Sequence, residues 1–160
     1  MTDWRGPSFP ALALLVCTAP ALAAPQGVSV HGSWGTFRDE DRCYAIALAD
    51  PSPYARERQP FASVSVLPAP PRFTMRLSRT LAPGAIVTLD VGSRRFRLGG
   101  AGDSAWGTDG INASANIVAA MRGSDTMTVG ARDMQGRFFR DSYSLRGAPT
   151  AIDAAIVACR

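Results

Sequence analysis

Val87-Thr88-Leu89-Asp90-Val91-Gly92-Ser93-Arg94-Arg95-Phe96-Arg97-Leu98 alternates apolar and polar residues on both sides of a Gly-Ser pair. Alternation with a period of two sends successive side chains to opposite faces of a strand. Two residues led by glycine suffice to reverse such a strand into a hairpin. Val87, Leu89 and Val91 then face inward with Phe96 and Leu98, and Arg95 and Arg97 face outward.

The same rhythm recurs on both sides of this hairpin. Ala62, Val64 and Val66 alternate with Ser63 and Ser65, and Phe73, Met75 and Leu77 stand among Arg72, Thr74 and Arg76. Met127, Val129 and Ala131 precede a Gln135-Gly136 turn and a partner strand over residues 138–145. Residues 33–38 and 42–48 flank Asp39-Glu40-Asp41, which reads as the solvated turn of a hairpin. Pro51, Pro53 and Pro60 mark an exposed loop holding Arg56, Glu57 and Arg58, and Gly99-Gly100-Ala101-Gly102 reads as a flexible loop leading to Trp106.

The strand rhythm breaks twice. Over residues 112–122, Ile117, Ala120 and Met121 fall at helical spacing with Gly123 just beyond. Pro149 opens a second short helix in which Ile152, Ala155, Ile156 and Cys159 share one face, so that the helix docks with its cysteine inward. Some eight short strands, one internal short helix and a docked C-terminal helix predict a mainly β fold, an antiparallel β-sandwich or barrel-like domain.

The chain has 160 residues, the size of one domain, with a formal net charge of +4. Every basic residue other than the single histidine is an arginine, which excludes lysine Schiff-base chemistry and a P-loop lysine. His31 as the sole histidine excludes a multi-histidine metal site. No cofactor and no metal site are expected.

Residues 1–23 read as a cleaved signal peptide: Arg5 in the n-region, an apolar stretch over residues 11–16, and Ala21-Leu22-Ala23 before the cut. The apolar run is far shorter than the ~20 residues that span a bilayer, so no transmembrane span is expected after cleavage. Leu14-Leu15-Val16-Cys17 departs from a lipoprotein signal, which wants a small residue where Val16 stands. The remaining residues, 24–160, form a single β-rich domain destined for the periplasm or for secretion. Nucleic acid is not an expected partner in that setting.

Cleavage removes Cys17 and leaves Cys43 and Cys159, an even count in an oxidising compartment, which predicts one disulfide. Two buried free thiols or a reactive cysteine are the competing readings. Gly102-Asp103-Ser104 resembles the surroundings of a nucleophilic serine, with His31 as a conceivable base, although His31 lies in a stretch that reads as flexible. Arg94, Arg95 and Arg97 beside Phe96, together with Arg72, Arg76 and Arg79 beside Phe73, form a candidate basic stripe for anionic partners. The competing reading makes these arginines the solvated faces of half-buried strands.

Gly32-Ser33-Trp34-Gly35-Thr36-Phe37, Arg42-Cys43-Tyr44-Ala45-Ile46-Ala47, Met127 with its strand, and Tyr143-Ser144-Leu145-Arg146-Gly147 before an alanine-rich helix carry a resemblance. The chain resembles the invasion-associated locus B family of exported bacterial proteins over most of residues 30–160. The resemblance implies a compact β-sandwich in the periplasm or at the cell surface, a link by name to host-cell invasion, and no catalytic residue. The cysteines depart from the family pattern: Phe37 follows Trp34 where members commonly carry a cysteine, and the second one here is C-terminal.

These readings converge on a non-enzymatic exported envelope protein, a binding or interaction module for an envelope component or protein partner. The alternatives are an envelope hydrolase using Ser104 and a structural or stress-related periplasmic protein without a discrete ligand.

Overall fold

A computed structural model describes residues 1, 26–39, 42–66, 70–108 and 112–159, and these form ten strands and two helices. Apart from Met1, the expected leader over residues 1–23 lies outside the described residues, as do Glu40 and Asp41 of the expected turn. The strands are β1 (Gln26–His31), β2 (Trp34–Asp39), β3 (Arg42–Leu48), β4 (Phe61–Ser65) and β5 (Arg72–Arg76), then β6 (Val87–Val91), β7 (Arg94–Ala101), β8 (Ser104–Gly107), β9 (Thr126–Arg132) and β10 (Phe138–Ser144). Helix α1 (Ala113–Met121) follows β8, and α2 (Ala148–Ala158) closes the chain.

All strands pair antiparallel in the order β1-β2-β3-β4-β5-β8-β7-β6-β9-β10. The central hairpin has the register read from its alternation, with Val87 opposite Leu98 and Leu89 opposite Phe96. The sheet curls until its two ends approach without closing into one ladder. Ser33 N–H donates to the Arg146 carbonyl at 3.0 Å, Trp34 Nε1 to the Ser144 carbonyl at 3.0 Å, and Asp50 N–H to the Ser142 carbonyl at 2.8 Å.

The inward rows form one core in which Trp34, Phe73, Leu89, Met127 and Tyr143 are fully buried. Helix α2 packs on β1, β2 and β3, where the buried Thr36 hydroxyl donates to the Ala151 carbonyl at 2.9 Å. Helix α1 packs on β5, β6 and β8 through Ile117 and Met121. Cys43, buried in β3, is disulfide-bonded to Cys159 just past α2, with Cα atoms 6.0 Å apart.

Two sequence readings are corrected. His31, read as lying in a flexible stretch, belongs to β1, in which it pairs with Trp34. Gly99-Gly100-Ala101-Gly102 is not a loop: β7 runs through Ala101, turns at Gly102, whose φ is +59°, and returns as β8. Glycine serves close approach here, because a Cβ on Gly99 would meet Thr108 and the Trp106 ring, which lies across the strand from it. These unread strands raise the count from eight to ten.

Candidate functional site

The expected basic stripe is divided by the sheet order. Strand β8 lies between β5, with Arg72 and Arg76, and β7, with Arg94, Arg95 and Arg97. Within β7, Arg95 and Arg97 stand opposite Asp90 and Thr88, whereas Arg94 stands opposite Val91 on the other face. The Arg94 guanidinium sits 5.1 Å from the centre of the Phe96 ring. Arg95 is forked onto Asp90, with Nε to Oδ1 at 2.6 Å and Nη2 to Oδ2 at 3.3 Å. That hydrogen bond holds the Asp90 carboxyl below its ordinary pKa and raises that of Arg95. The three side chains do not converge on one point.

Ser104 is exposed and its hydroxyl donates to Asp103 Oδ1 at 3.3 Å. Asp103 Oδ2 in turn accepts Arg76 Nε at 3.1 Å and lies 3.3 Å from Arg58 Nε. His31 lies 2.8 Å from the Ser29 hydroxyl on β1, with four strands between β1 and β8. The fold does not bring His31 to Ser104.

Arginine does converge elsewhere. A cleft of about 470 Å³ opens between the proline-rich loop after β3 and the start of β10. Tyr54 and Arg56 from the loop, Arg79, and Arg137, Phe138 and Arg140 from the region of β10 line it. No carboxylate is in that lining; the acids that organise it are buried behind it.

Asp133, in the turn between β9 and β10, is the first of these. Its Oδ1 accepts the N–H groups of Gln135 at 3.0 Å and Arg137 at 2.9 Å, and its Oδ2 accepts Arg137 Nε at 3.0 Å and Arg79 Nη1 at 3.2 Å. Burial pushes the Asp133 carboxyl up, but the hydrogen bonds from Arg137 and Gln135 outweigh it and hold the pKa below its ordinary value. Arg79 Nη2 also donates to the Ala55 carbonyl at 2.6 Å, tying the loop to the turn.

Asp141 is the second. It is fully buried, accepts Ser78 N–H at 2.9 Å and lies 3.5 Å from Arg56 Nε. Arg56 Nη2 donates to the Asp50 carbonyl at 2.9 Å. Beside them the buried Tyr143 hydroxyl has no hydrogen-bond partner among the described residues. Burial, reinforced by the Asp141 charge, drives its pKa far upward and keeps it protonated. Among the described residues Arg140 forms no ion pair, although its charge reaches the Asp90 carboxylate; its guanidinium lies 5.3 Å from the Phe138 ring centre, a cation–π contact.

Arg56, Arg79, Arg137 and Arg140 are scattered over 85 positions of the sequence, and only the strand order assembles them. The signal within reach was Asp133-Met134-Gln135-Gly136-Arg137, an Asp-led turn before an arginine. Compared with known protein families, with curated proteins and with solved structures, the chain matches none.

Proposed function

We propose that the protein is an exported bacterial envelope protein of the invasion-associated locus B kind, acting by binding rather than catalysis, with the arginine-lined cleft as its binding face. The observation that carries this reading is a concave site lined by four arginines, with no carboxylate among its lining residues. Such a surface recognises anions by paired hydrogen bonds and charge. The Cys43–Cys159 bond supports an oxidising compartment. Among the described residues no helix is long and apolar enough to cross a membrane. The separation of His31 from Ser104 gives no support to the hydrolase alternative.

The test is binding of a labelled dextran sulfate to the purified domain at low and moderate salt. Tight binding that weakens with salt and drops at least tenfold in Arg140→Glu is expected, with little change when Arg94, Arg95 and Arg97 are all replaced by Gln. Loss of binding in the triple variant, with Arg140→Glu unaffected, would return the site to β7. Failure to bind at low salt would overturn the reading.

A further inference from the structure

Strand β10 is an end of the sheet, and its free edge opens into the arginine cleft. Along its C-terminal half that edge is occupied. The Ser142 carbonyl accepts Asp50 N–H, Ser144 N–H donates to Asp50 Oδ1 at 3.3 Å, and the Ser144 carbonyl accepts Trp34 Nε1. Residues 142 and 144 therefore direct their main-chain groups away from β9. In an antiparallel ladder that direction repeats every second residue, so Arg140 and Phe138 also turn theirs outward. No group among the described residues reaches them from that side. The loop that seals the edge at Asp50 stands off from it at Tyr54 and Arg56, which leaves the cleft.

We infer that the cleft takes an extended acidic peptide segment of a partner protein, which adds to β10 as a further strand. This deepens the binding function proposed above and rests on it. Two residues with unpaired donors and acceptors offer main-chain bonds, the source of affinity in strand addition, and side chains beside the edge supply selectivity. Here those side chains are Arg56, Arg79 and Arg137, each with a buried carboxylate behind it, and Arg140 without one, so the complementary segment carries Asp or Glu at alternate positions. Exposed Tyr54 and Phe138 provide apolar contact for the residues between. A sulfated polysaccharide or a lipid surface satisfies the charge but offers no alternating N–H and C=O ladder.

The experiment compares a fluorescent eight-residue peptide alternating Glu and Val with the same peptide N-methylated at alternate residues. Charges and side chains are equal, but half the main-chain donors are gone. Binding of the parent peptide, at least tenfold weaker after methylation in both of the two alternating patterns or in one, is expected, with slowed exchange of the Phe138 and Arg140 amides in the complex. Equal affinity for all three peptides overturns strand addition and leaves only charge. Binding of dextran sulfate without any peptide binding overturns the peptide while the cleft stands. Failure of every anion overturns both. A concentration-dependent dimer of the protein alone that blocks the peptide would make a second copy the occupant and also overturn the inference.

Discussion

Asp133 is withdrawn from solvent yet held ionised by four N–H donors, and it fixes both Arg79 and Arg137 at the cleft. Because its folded pKa is lowered, its contribution to stability is complete above the unfolded carboxyl value near 4 and is lost as pH falls through the folded value. Asp133→Asn is therefore expected to lower the thermal midpoint at pH 7 and to differ less from the parent below about pH 4. Parallel melting curves across that range check it, and an undiminished gap in acid would count against the ionised state. At Asp141 the expectation is a stability loss of about 3 kcal/mol on replacement by Ala, since Arg56 and the Ser78 N–H lose a buried partner. Urea unfolding measures it. Neither aspartate was legible as a site residue, because a lone Asp in a turn or strand carries no sign of what the fold will place against it.

The hairpin β6–β7 and both helices were readable because alternation and helical spacing are local properties. Strands β7 and β8 beyond Leu98 were not, because glycine marks loose loops and tight strand contact alike. Gly99→Val is expected to cost about 1–3 kcal/mol by forcing the Trp106 ring off the strand. A Trp emission spectrum and a thermal midpoint both unchanged from the parent would contradict that packing. Helix α2 is held by the Thr36 hydroxyl and by the terminal disulfide. Thr36→Val is expected to lose about 1 kcal/mol in chemical denaturation. The disulfide closes a loop of 116 residues, so Cys159→Ser is expected to lose up to about 5 kcal/mol in the chain-entropy description.

At the scale of the molecule, the antiparallel β class and the terminal helix follow from pattern, whereas the strand order does not. That order decides which arginines meet. It inserts β8 between the two arginine-bearing strands singled out in the sequence, and it brings the loop after β3 against β10, where Arg56, Arg79, Arg137 and Arg140 gather. Curling also leaves one strand edge unsealed beside those charges. Charge and the cysteine pair suit an exported binding domain, and export is the premise on which its partner class depends. The most direct measurement is the intact mass of the protein recovered from the periplasmic fraction, with thiol labelling before and after reduction. A species beginning at Ala24, whose two cysteines label only after reduction, is expected. A full-length or lipid-modified species, or free thiols at Cys43 and Cys159, would contradict an exported, disulfide-closed domain.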